Sequence, residues 1–189
     1  MVNQEIRSTM GDLFPDLGVE TPVISGVAHD RSESMITVRG IPDIPGMAAK
    51  VFTTLAKANA NIDMIAQASA STGTADISLS APSSSMEAVR SVLLAAKDEL
   101  KFTSMDVDPT VGKVAVVGVG MKTHSGLAAT FFTALSDHGI NTLMISTSEI
   151  RIAALVPVKQ LDEAVRALHT AYGLDANQIE AVVYGGSGR

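Results

Sequence analysis

The chain of 189 residues carries a net charge of −6 at pH 7 and a pI near 5.1, with no basic cluster, which argues against a nucleic-acid backbone or an anionic membrane as partner. It has no cysteine, so disulfides and thiolate metal sites are excluded, and no apolar run approaches the roughly 20 residues that span a bilayer. Its 46% hydrophobic content is ample for the core of one large unit or of two units of about 75 residues each.

Residues 1–22 mix Glu5, Arg7, Asp12, Asp16 and Glu20 with Gly11, Pro15, Gly18 and Pro22 and keep no period, so they are expected to form a tail or linker. The opening residues lack the charged-then-apolar order of a secretory signal, and a cytoplasmic address is expected. A short β-like run, 23–28, ends in the polar segment 29–34 and needs a sheet to join. Residues 35–39 are rich in β-branched side chains and predict a strand, stopped by Gly40 and by the two prolines of 42–46, which remove backbone donors. From Met47 the apolar Ala48, Val51, Phe52, Leu55 and Ala58 recur at helical spacing, while Lys50, Lys57 and Asn59 face water. Then come a strand over 62–69, a turn at 71–73, an alternating strand over 76–81, a helix over 86–100 capped by Ser84 or Ser85, and a closing strand over 102–107.

The same order returns. Residues 36–65 and 116–145 are offset by 80, and ten of those thirty positions are identical, among them Gly40/Gly120, Gly46/Gly126, Phe52/Phe132, Asn61/Asn141 and Met64/Met144. A duplicated module suits paired binding units better than a single catalytic centre. The second copy predicts strands over 113–118, 142–147, 150–156 and 179–184, with helices over 126–138 and 159–172. The expected fold class is therefore α+β: two ferredoxin-like βαββαβ units, each an antiparallel four-stranded sheet with both helices on one face. The other face would be bare, and joining sheets edge to edge would close unpaired strand edges. The expected divisions are a tail over 1–22, a strand over 23–33 that joins the second sheet, a first unit over 34–109, a second over 112–184, and a tail over 185–189.

A βαββαβ unit with a Pro/Gly-containing first loop resembles the ACT domain, a small-molecule sensing module of amino-acid metabolism. Ile24-Ser25-Gly26-Val27-Ala28-His29-Asp30, Ala48-Ala49-Lys50-Val51-Phe52, Asn61-Ile62-Asp63-Met64, Ser146-Thr147-Ser148-Glu149-Ile150-Arg151-Ile152 and the terminal Ala181-Val182-Val183-Tyr184 resemble the regulatory portion of the aspartate kinase family. The resemblance runs from about Pro22 to the end of the chain. It implies a regulatory chain that does not itself phosphorylate aspartate. Such a chain binds threonine or lysine to feedback-control a catalytic α chain in lysine, threonine and methionine biosynthesis, and it dimerises through its ACT sheets. It implies no cofactor and no metal in this chain.

A helix start offers unpaired N–H groups and the positive end of a dipole, which suits the carboxylate of a free amino acid. Gly46-Met47-Ala48 and Gly126-Leu127-Ala128 are such starts, and Asp43 or Asp63 could face the α-amino group. By resemblance, effector contacts fall on Asp43, Gly46, Met47, Ala48, Asn61, Ile62, Asp63 and Gln67 of the first unit. In the second they fall on Leu127, Ala128, Asn141, Thr142, Ser148 and Glu149. No catalytic residue is expected, since neither a phosphate loop nor a His/carboxylate constellation is present in register. The histidines show no metal spacing, the methionines read as core fillers, and Glu149 with Arg151 reads as an exposed charge pair. Small Ala68 and Ala70 after the second strand leave open the alternative of a structural oligomerisation module.

Overall fold

A computed structural model describes residues 23–121, 124 and 126–175, which form eight strands and five helices. In chain order these are β1 (Val23–Asp30), β2 (Glu33–Pro42), α1 (Met47–Ala56), β3 (Ile65–Ser69), β4 (Thr74–Pro82), α2 (Met86–Ala95), α3 (Lys97–Leu100) and β5 (Ser104–Asp108). The second copy follows as β6 (Val111–Val119), α4 (Gly126–Asp137), β7 (Met144–Thr147), β8 (Arg151–Pro157) and α5 (Leu161–Ala171). None of these helices is long and apolar enough to cross a membrane.

Two separate antiparallel sheets result, ordered β3-β4-β2-β5 and β1-β6-β8-β7. In the second, the edge beside β6 is held by β1, which pairs Val23 with Val119 and Asp30 with Lys113 around a bulge at Ile24/Gly26. The expected strand over 179–184 and both expected tails lie outside the described residues. The approach of β1 is close: a Cβ on Gly118 would stand 2.5 Å from the carbonyl oxygen of Val23.

Alternation decides where each side chain goes. Ile36, Val38, Ile77 and Leu79 point from the first sheet into a core completed by Val51 and Leu55 of α1 and Val89 and Leu93 of α2. Val114, Val116, Ile152 and Ala154 do the same in the second sheet against Phe131 and Leu135 of α4 and Leu161 and Leu168 of α5, joined by Ile24 and Val27 of β1. The opposite faces are not bare. Val111, Ala115, Ala153 and Leu155 of the second sheet form a third cluster with Met64 and Met144, against which Met35 and Ala66 of the first sheet pack. The two sheets meet by these helix-free faces, and among the described residues no strand pair joins them edge to edge. The β6 sequence, buried along almost its whole length, reflects cover on both sides.

Four local expectations change. Pro42 does not stop the ladder: β2 continues through a register break between Val38 and Ile41 to pair Pro42 with Thr74. Pairing with β5 has already ended at Arg39/Ser104, so on that side the proline withholds no ladder bond. The helix expected over 86–100 divides at Ala96, whose backbone (φ −96°, ψ 11°) leaves the helical region so that Leu100 and Phe102 can both reach the core. Ser84 and Ser85 make no side-chain cap, because Ser83–Ser85 is itself a turn of 3₁₀ helix leading into α2. The strands expected from Ile62 and Thr142 begin at Ile65 and Met144, after irregular turns.

Gly40, at the register break within β2, and Gly46, just before α1, have φ of 70° and 93°. At Gly40 an added Cβ would also lie 2.3 Å from Thr103 Oγ1, whereas at Gly46 it meets nothing within 4 Å. Gly40→Ala is therefore expected to lower stability in urea unfolding by about 1–3 kcal/mol. Gly46→Ala carries only the left-handed backbone cost of roughly 1 kcal/mol, and an equal loss in both variants would contradict this account.

Candidate functional site

The loop between β2 and α1 folds over the sheet. Asp43 N–H donates to Gly73 O (2.9 Å), and Met47 N–H donates to Ile44 O (3.2 Å), after which Gly46 opens α1. Between this loop and the strands lies a cavity of about 340 Å³. Asp43, Gly46, Met47 and Ala48 form one side of it and Gln67 of β3 the other, over an apolar floor of Ile41, Ala75 and Ile77. The first turn of a helix leaves N–H groups without intrahelical acceptors, so the Met47–Ala48 end brings partial positive charge to the wall that carries the Asp43 carboxyl. An apolar cleft with one acid, one amide and a helix N-terminus matches a small zwitterion in kind. The loop is held from behind: Asp76, between Ala75 and Ile77 on β4, accepts from Gly40 N–H (2.9 Å) and from Arg39 Nη1 (3.2 Å), while Arg39 Nε donates to Asp106 (2.8 Å).

Of the residues expected to meet the effector, the structure brings these five together and scatters the rest. Asn61 is exposed on the turn after α1, and Ile62 packs on the first core. Asn141 and Thr142 line a second cavity of about 340 Å³ with Phe132, Leu135 and Ile140, at the far end of α4 from Leu127 and Ala128. Leu127 and Ala128 pack on the second core, and Leu127 O accepts from Tyr172 Oη (2.7 Å). Burial pushes the Tyr172 phenol up to about 12, so this donor stays protonated across the physiological range. Ser148 and Glu149 lie in the exposed β7–β8 turn, where Ser148 Oγ accepts from Ile150 N–H.

Asp63 stands apart from the cavity. Its carboxylate accepts from Lys113 Nζ (2.6 Å) and lies 3.5 Å from Arg151, both on the second sheet, and Lys113 also donates to Glu33 (3.1 Å). Arg151 thus pairs with Asp63 across the two units. Lys113, Glu33, Asp76 and Tyr172 were not singled out from the sequence, since each is a single polar residue in a strand or just past a helix. Their partners lie 50 and 80 residues away for Lys113, 36 for Asp76 and 45 for Tyr172.

Burial opposes ionisation of Asp63 as the largest single influence, yet the Lys113 hydrogen bond together with the Lys113 and Arg151 charges holds its carboxyl below the ordinary value. Burial likewise works against the charged form of Lys113, and Asp63 with Glu33 outweighs it, leaving the amine above its ordinary value. A carboxyl depressed on folding contributes stability that is present above its unfolded value and lost as pH falls through the folded one. The raised amine contributes below its own unfolded value and loses that contribution as pH rises through the folded one. Stability should therefore begin to fall below about pH 4 and again above roughly pH 10.4. In Asp63→Asn the acid loss should shrink, as read from urea midpoints across pH; an unchanged acid limb would remove Asp63 from the account.

Comparison with known proteins agrees with this architecture. The ACT domain family matches residues 35–96 and 114–172. Aspartokinase of Mycolicibacterium smegmatis is 46% identical over 176 residues, 92% of this chain and 42% of that protein, and aspartokinase of Corynebacterium glutamicum is 47% identical over the same shares. The chain thus spans less than half the length of these relatives. A crystal structure of aspartokinase alpha and beta subunits superposes with a TM-score of 0.74 at 40% identity, covering 79% of this chain and 99% of that one. The ligand-free regulatory subunit of aspartate kinase from Thermus thermophilus gives 0.74 at 33% identity, covering 78% and 97%. With its tandem ACT units and these relatives, the chain belongs to the aspartokinase family and constitutes an ACT-containing regulatory region of it.

Proposed function

We propose that this chain is an allosteric regulatory subunit or region that binds a free amino acid, threonine or lysine, and thereby controls phosphorylation of aspartate by a catalytic aspartokinase chain. The cavity at the N-terminus of α1 carries the reading. It sets Asp43 for an α-amino group, the amide end of the helix for an α-carboxylate, and Gln67 for a polar side chain, above the apolar floor of Ile41, Ala75 and Ile77.

A second copy of the chain completes the site. The expected contacts on the turns 61–63, 141–142 and 148–149 do not reach the cavity from within one chain. The edge strands β3 and β7 also present Ile65 and Ile145, 51% and 46% exposed, at matching positions of the two units. Pairing those edges would cover both isoleucines and close unpaired strand edges.

Thermal unfolding of the chain against each of the twenty amino acids tests the reading. Threonine or lysine at about 100 times its dissociation constant should add roughly 2.7 kcal/mol of stability, seen as a raised Tm. Gln67→Ala, which removes one hydrogen bond, should weaken that response by about 1 kcal/mol in binding. A profile flat across all twenty would instead favour the structural oligomerisation module.

A further inference from the structure

We propose that Lys113 is the coupling residue between the two units. Its ammonium is shared by Asp63 and Glu33, and a change at the α1 cavity reaches the second unit by altering that share. The proposal rests on the effector reading above and deepens it by naming how occupancy is transmitted.

At the side of the seam between the helix-free faces four charged groups converge. Lys113 of β6 and Arg151 of β8 meet Glu33 of β2 and Asp63 of the turn after α1. Two cations face two carboxylates, so charge balances wherever the ammonium sits. The side chains of Lys113 and Glu33 are only 17% and 4% exposed, and their partners are therefore not freely exchanged for water. The sharing is unequal: Nζ lies 2.6 Å from Asp63 and 3.1 Å from Glu33, and the second oxygen of Glu33, Oε2, is buried without a hydrogen-bond partner. A buried carboxylate oxygen left unmatched is costly. A second setting, with the ammonium fully on Glu33 and Asp63 left to Arg151, recovers at Glu33 what it loses at Asp63. Two settings of similar energy are what a ligand needs in order to shift a population.

The cluster is also placed to transmit. Asp63 lies in the connection between α1, whose first turn walls the cavity, and β3, whose Gln67 walls the other side. Arg151 begins β8, directly after the turn that carries Ser148 and Glu149. Release or capture of Asp63 therefore ties the cavity of the first unit to the exposed turn of the second.

Hydrogen-exchange mass spectrometry on the whole chain, with and without millimolar threonine and lysine, tests this. In the wild type an effector should slow exchange both in the cavity loop, 42–48, and at the distant turn, 146–152. In Lys113→Gln the loop should still respond and the distant response should be lost. Lys113→Arg should restore it, because a guanidinium has donors for both carboxylates, including Glu33 Oε2. A distant response that survives in Lys113→Gln overturns the proposal. Should Lys113→Gln fail to fold, Glu33→Gln removes the competing charge without leaving a bare lysine, and it too should abolish the distant response while sparing the loop. If no amino acid alters the wild type, the effector reading fails, and coupling is judged by a double-mutant cycle of Asp63→Asn with Glu33→Gln in urea. Non-additive midpoints support a shared ammonium, and additive ones refute it.

Discussion

Two four-stranded sheets, each with helices on one side only, must hide their remaining faces, and in this chain they do so against each other. Met64, Val111, Ala115, Met144, Ala153 and Leu155 make a third core between the units, distinct from the two helix-packed cores. The rest of the organisation follows from that contact. It explains why β6 is buried on both sides, and why an ammonium with two carboxylates can persist at the seam where water is partly excluded. The apolar contact supplies adhesion without direction, whereas the ion cluster adds directional contacts between the units.

The edge of the second sheet illustrates how a duplicated module is threaded. β1 precedes the whole first unit in the chain and yet pairs with β6, some 80 residues on, so the first unit is carried between two pieces of the second sheet. Chain continuity through β5 and β6 adds a direct covalent link of a few residues. The two units are thus tied at both ends and packed along a shared seam.

Much of the candidate site was legible from local chemistry. Gly40, Pro42, Pro45 and Gly46 marked a loop that carries Asp43 and ends in a helix start, while Gln67 was placed by resemblance; the cavity contains both Asp43 and Gln67. Pro42 misled at the level of one residue, because a missing donor matters only where a neighbour needs it, and β5 no longer does at that point. Asn61, Ile62 and the turns 141–142 and 148–149 were placed by resemblance alone, and Asp63 also as a charge for an α-amino group; within one chain none of them lines the cavity.

Periodicity, the 80-residue repeat and the turn residues were enough by themselves to determine two α+β units with antiparallel sheets, their helix-packed cores and the loop before α1, because those features depend on spacings of two to four residues. Only the tertiary structure decided that the helix-free faces meet, that Asp63 turns from the cavity to Lys113 and Arg151, and that Tyr172 holds Leu127. Each of these joins residues that are 45 to 88 positions apart. Such contacts depend on how rigid elements stack in space, and a linear pattern of polar and apolar residues carries no term for that.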